Sequence, residues 1–167
     1  MPNISHPSSR PVVALLHLLG LLAGLGMGIA AWADGEQQTR QVPLLPAYQQ
    51  ECAACHMAYP PAYLTAESWR RLMHTLPTHF GSDASLDAAT AAAVSDWLGS
   101  HAGTYKRVRE APPEDRITHT RWFIKKHDEV PAATWARPAI KSAANCSACH
   151  PQAEKGDFNE HRIRIPR

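Results

Sequence analysis

All four cysteines of the chain fall in two copies of one pattern, Cys52-Ala53-Ala54-Cys55-His56 and Cys146-Ser147-Ala148-Cys149-His150. Cys-x-x-Cys-His is the pattern of covalent c-type haem attachment. On a helical turn, residues i, i+3 and i+4 share a face, so two thiols can bond the haem vinyl groups while the imidazole reaches the iron. The two copies therefore predict two covalently attached c-type haems. Cys52, Cys55, Cys146 and Cys149 would form the thioether bonds, and His56 and His150 would each supply one axial ligand.

Other chemistries account for the pattern less well. Zinc can use two Cys-x-x-Cys pairs, but it does not require a histidine after each, and the pairs stand about ninety residues apart in a short chain. A thioredoxin-like pair belongs in a strand–helix context and gains nothing from the histidine. Structural disulfides more often join distant cysteines than neighbours.

The group opposite each motif histidine sets much of the reduction potential and decides whether a small molecule can bind the iron. Methionine is scarce: Met57 follows His56 directly and is badly placed to reach the far face, and Met73 lies in an apolar stripe, where methionine is usually core. Histidines are plentiful. For the first haem, His79 stands in a loop between Pro77 and Phe80-Gly81, with His101 as its main rival, while His74 points off its helix stripe. For the second, His127 shares a helix face with Phe123, with His119 and His161 as rivals.

The elements that must position these groups read as helical throughout, with no strand pattern of useful length. Pro46 can open a short helix leading into the first motif, which Tyr59-Pro60-Pro61 then stops. Trp69, Leu72, Met73 and Leu76 follow helical spacing from Ala66 to Pro77. Ser85 is the expected N-cap of the next helix, with Asp87 in its first turn and Leu86, Ala89, Ala93, Val94, Trp97 and Leu98 on one stripe. Residues 104–116, broken by Pro112-Pro113, read as a linker or domain edge. A helix from about Thr120 carries Trp122, Phe123 and His127 and halts before Pro131, and a last compact helix capped by Ser142 is expected to hold the second motif and end at Pro151. The tail from Gly156 shows no clear periodicity.

Arg10, the uncharged run from Pro11 to Ala33 and the closing Ala31-Trp32-Ala33 predict a secretory signal spanning 1–33. Its removal would take 33 of the 167 residues, leave 134, and lower the formal charge from +2 to +1 with the loss of Arg10. The alternative is an uncleaved membrane anchor, against which the run's several glycines and His17 argue. Either way the haem-binding part is expected outside the cytoplasm, in a bacterial periplasm. The near-neutral charge gives no reason to expect a nucleic-acid partner. Two well-separated haem motifs predict two small haem-binding domains, 34–103 and 104–167, each stapled by its haem.

Beyond the pentapeptides, Ala58-Tyr-Pro-Pro61, Ser68-Trp69, Leu72-Met73, His79-Phe-Gly81, Asp83-Ala-Ser-Leu86, Trp122-Phe123, His127 and Gly156-Asp-Phe158 give the chain a specific likeness. It resembles the bacterial dihaem cytochrome c family known as DHC, over nearly the whole exported part. The resemblance implies a first domain like a class I cytochrome c, a distinct helical second domain, and two histidines on each iron. Carried over position by position, it pairs His56 with His79 and His150 with His127. It also implies an electron carrier working with redox protein partners, among them a membrane b-type cytochrome and a small oxygen-binding haem protein. Filled coordination would leave no site for substrate, so no catalytic residue is expected; the competing class is a haem enzyme or ligand-binding protein with one open iron.

Overall fold

Proline fixes its own φ near the helical value, and Pro46 accordingly opens α1, which spans Pro46–Cys52. The computed structural model describes residues 42–167, all within one compact unit. The expected signal lies outside the described residues. Among them no helix is long and apolar enough to cross a membrane, and no named strand is present.

Helix α2 spans Ala66–His74, capped by the Thr65 hydroxyl, which accepts from the Ser68 N–H at 3.1 Å. Its stripe behaves as the spacing predicts: Trp69 and Leu72 are buried, Met73 packs against the core, and Arg70 and Arg71 face water. A 3-10 turn, Leu76–Thr78, follows at Pro77 and leads to His79.

Helix α3 spans Ala88–Ser100, and its N-cap is Asp87 rather than Ser85. The Asp87 carboxylate accepts from the Ala89 and Thr90 N–H groups, both at 3.0 Å, which satisfies two of the free donors at the helix start. Ser85 instead turns to Asp83. Val94 and Leu98 are the buried part of the α3 stripe, whereas Ala89 and Ala93 are exposed. Together Tyr48, Leu64, Trp69, Leu72, Val94 and Leu98 form the core of α1, α2 and α3. Gly103 closes this layer because nothing larger fits: a Cβ there would lie 2.4 Å from the Ala62 carbonyl oxygen and 2.8 Å from Val108 Cγ1.

The segment expected to be a linker or domain edge is tied down. Val108 is buried within a 3-10 turn, Lys106–Val108. Asp115 receives a bidentate pair from Arg71, Nε at 2.8 Å and Nη2 at 2.7 Å. Arg71 also holds Glu67 on its own helix, one turn back. The Arg71 hydrogen bonds keep the Asp115 carboxyl below the usual carboxylate range. Its stabilising contribution is therefore complete above the ordinary Asp value and is lost as pH falls through the depressed one. Asp115→Asn should lower the melting temperature of the haem-loaded protein at pH 7. The difference from the parent should shrink as the pH drops below the depressed Asp115 value; a difference that persists in acid would assign the effect to packing.

Helix α4, Arg121–Lys126, begins at Thr120, whose hydroxyl accepts from the Phe123 N–H. It stops one residue before His127, which lies at its C-cap. A short helix not predicted from sequence, α5, spans Ala132–Trp135. The last helix expected between Ser142 and Pro151 does not form; only a 3-10 turn, Cys146–Ala148, is present. Lys141 at φ +69° breaks the chain before Ser142, and within the segment the Cys146 N–H turns back to the Ala144 carbonyl and the Cys149 N–H to the Cys146 carbonyl, in place of a continuous helical ladder. The irregular tail is pinned back, with the Arg164 N–H donating to the Cys149 carbonyl at 2.9 Å and Arg137 to the Pro166 carbonyl at 2.7 Å.

Candidate functional site

Only Cys52 of the first motif is helical; the chain turns through Cys55 to His56. Buried Tyr48 holds the exit by donating its hydroxyl to the Tyr59 carbonyl at 2.8 Å. His56 Nδ1 lies 2.7 Å from the Met57 carbonyl, the bond that places the proton on Nδ1 and leaves Nε2 free as a ligand. The Tyr59 ring stacks on His56 at 4.7 Å.

His79 approaches from the other side of the same space. Phe80 at φ +48° and Gly81 at φ +92° make a tight turn in which the Ser82 N–H donates to the His79 carbonyl at 3.0 Å. At Gly81 the left-handed backbone favours a residue without Cβ. The Arg116 guanidinium lies 4.1 Å above the Phe80 ring, so the distal loop is braced from the second half of the chain. The His56 and His79 ring centroids are 6.2 Å apart.

The second site is built differently and reaches the same spacing. The His150 N–H donates to the Cys146 carbonyl at 2.8 Å, which closes the motif into one turn. His127 stacks on Phe123 at 4.0 Å and 20°, and its Nδ1 lies 2.8 Å from the Phe123 carbonyl. Trp135 of α5 flanks His127 at 5.8 Å, and Phe158 flanks His150 at 5.4 Å. The His127 and His150 centroids are again 6.2 Å apart. Sequence reasoning assigned no role to Trp135 or Phe158, since neither shares an element with a candidate ligand.

These residues fit the groups that the motifs imply. Metal–imidazole bonds of roughly 2 Å on each side, plus the half-widths of two rings, put the centroids of opposed imidazoles about 6 Å apart. None of the four cysteines is in a disulfide. Burial pushes the Cys52 thiol up to about 11, with Glu51 adding to the effect, and burial likewise pushes Cys146 to about 11. A redox-active or zinc-binding pair is helped by the opposite shift. Burial, aided by the facing histidine, lowers His79 and His150 from the ordinary histidine value, which favours the neutral ring that can bind iron. Trp122 Nε1 is buried without a protein partner; an indole N–H can only donate, and haem brings carboxylate acceptors.

The model of the family described as dihaem cytochrome c matches residues 48–158. The chain belongs to the dihaem cytochrome c family. Its fold is similar to the crystal structure of a diheme cytochrome c from Shewanella baltica, with 39% identity, a TM-score of 0.65, and coverage of 75% of this chain and 95% of that one. It is also similar to DHC from Rhodobacter sphaeroides, at 42% identity and TM-score 0.62, covering 71% of this chain and all of that one. A search among curated proteins gave no match.

This dihaem cytochrome accordingly carries two covalent c-type haems and is an electron-transfer protein, not an enzyme. The haems supply the redox chemistry; the chain binds, orients and insulates them. The rival histidines sit elsewhere. His101 packs on Trp97 at 5.0 Å with Nδ1 2.8 Å from the Trp97 carbonyl, and His74, His119 and His161 are exposed.

Proposed function

We propose that the protein passes single electrons through two low-potential haems, each iron held between two histidines, His56 with His79 and His150 with His127. The observation that supports this most is the pair of 6.2 Å histidine–histidine spacings, reached by two unrelated local structures. Two imidazoles fill the axial positions, so the methionine ligand that would raise the potential is absent. On this reading each of 34–103 and 104–167 is organised around one haem, the first after the manner of a class I cytochrome c. The apolar run ending at Ala33 directs export to the periplasm, and the partners are redox proteins such as a membrane b-type cytochrome and a small oxygen-binding haem protein.

Low-temperature electron paramagnetic resonance of the oxidised protein, loaded with two haems per chain, tests the coordination. Two low-spin signals without a substantial high-spin component are expected. A native high-spin haem would mean an open iron and would turn the reading toward small-ligand binding.

A further inference from the structure

Two successive residues with left-handed backbones stand beside the first haem site. Glu114 at φ +56° and Asp115 at φ +54° both carry a Cβ, which that conformation disfavours. The turn is held by the bidentate Arg71–Asp115 pair, with Arg71 Nε at 2.8 Å and Nη2 at 2.7 Å. It delivers Arg116, whose guanidinium carbon lies 4.1 Å from the centroid of the Phe80 ring, and that ring lies 4.8 Å from the ring of His79. Strained backbone persists where surrounding contacts over-determine it, and it gathers at functional sites. A cation on an exposed aromatic could be ordinary surface packing. Here the cation stands next to an axial ligand, and that ligand differs from its counterparts in a second way. His56 and His127 each place Nδ1 against a backbone carbonyl, at 2.7 and 2.8 Å, whereas the buried Nδ1 of His79 finds no acceptor among the described residues.

We propose that Arg116 raises the reduction potential of the first haem through His79, and that Glu114 moderates it. Reduction adds one electron to the ferric iron and lowers the charge of the site by one, so a fixed positive charge close by favours the ferrous state. Glu114 accepts from Arg116 Nε at 2.8 Å and opposes the effect. Its side chain is 65% exposed against 37% for Arg116, so water screens the carboxylate more than the guanidinium. Burial, the facing His56 and then Arg116 all disfavour a charged His79 ring, so the guanidinium field reaches the imidazole. A ligating imidazole whose other nitrogen is hydrogen-bonded is the more basic donor, so the unbonded Nδ1 makes His79 the weaker donor to ferric iron and works in the same direction. Arg116 is a positioning residue for one haem alone, because His127 and His150 lie outside this turn. The inference rests on reading His79 as an axial ligand.

The test is a redox titration of the haem-loaded protein, with the wave of the first haem marked by its response to His79→Met. Arg116→Gln, which removes the charge, should move that wave to lower potential. Arg116→Lys, which keeps the charge, should leave it nearer the parent. Glu114→Gln, which frees the guanidinium from its counter-charge, should move the same wave up. The second wave should stay in place in all three variants, and both low-spin signals should persist. A loosened loop would move the first wave the same way in Arg116→Gln and Glu114→Gln, so opposite shifts assign the effect to charge. An unmoved first wave in Arg116→Gln, shifts of one sign in the two charge-removing variants, or equal shifts of both waves would overturn the proposal. If neither wave answers to His79→Met, the ligand assignment falls and takes the proposal with it; a wave that answers to His79→Met but to neither charge change overturns the role of Arg116 alone.

Discussion

Replacing His79 by methionine is expected to raise the midpoint potential of one haem and leave the other nearly where it was. A thioether donates less charge to ferric iron than an imidazole does, and the methionine/histidine pair is the higher-potential combination. Axial ligation tunes haem potentials over a range of ~0.8 V, so the shift should be on the order of 0.1 V or more. The site can present the new side chain. His79 stands at the end of the Leu76–Thr78 turn, in a loop anchored by buried Leu76 and braced by Arg116 on Phe80, and methionine is unbranched and adaptable. The second haem is spared because its histidine pair is built from residues 127 and 150, outside this loop. A spectroelectrochemical titration resolving two waves decides the matter. Two unmoved waves would reject His79 and bring forward His101, whose imidazole is held at Trp97.

His127→Ala should convert the second haem from low to high spin and let carbon monoxide bind its reduced iron without denaturation. The substitution deletes an imidazole stacked on Phe123 and flanked by Trp135, leaving a gap of imidazole size on the side facing His150. Added free imidazole should refill that gap and restore the low-spin signal, which separates a lost ligand from a lost fold. Preserved low-spin spectra without added imidazole would mean that another histidine ligates. His119 and His161, both exposed, would then have to move to reach the iron.

The helices whose signals are local were legible before any coordinates. Pro46 starts α1 and the Trp69–Leu72 stripe buries α2, which ends at His74, three residues short of the stop expected at Pro77. Errors fell where two local choices compete or where length is marginal. Ser85 and Asp87 are both good caps, and the carboxylate that reaches two N–H groups prevails. Around the second motif the sequence suggested a helix, yet the residues between Lys141 and Pro151 support only a 3-10 turn. Helix α5 went unseen because four residues carry too little periodicity to register. Within the segment expected to be a linker or domain edge, Asp115 is held by Arg71, a contact across 44 positions that no local pattern announces.

The cofactor was legible for a chemical reason: covalent haem attachment needs two thiols and an imidazole within five consecutive residues, so the demand is written locally, twice. Which histidine faces each motif is another kind of question. His79 and His56 come from separate segments, as do His127 and His150, and their 6.2 Å spacings follow from the Phe80–Gly81 turn, the Arg116 brace and the Phe123 stack. The placing of Arg116 beside His79 is likewise tertiary, since the Arg71–Asp115 pair that holds its turn spans 44 positions and leaves no trace in spacing. Attachment is a property of short sequence because its bonds join neighbours; opposition across an iron and the charge set beside a ligand belong to the packed structure, because they join residues that only the fold brings together.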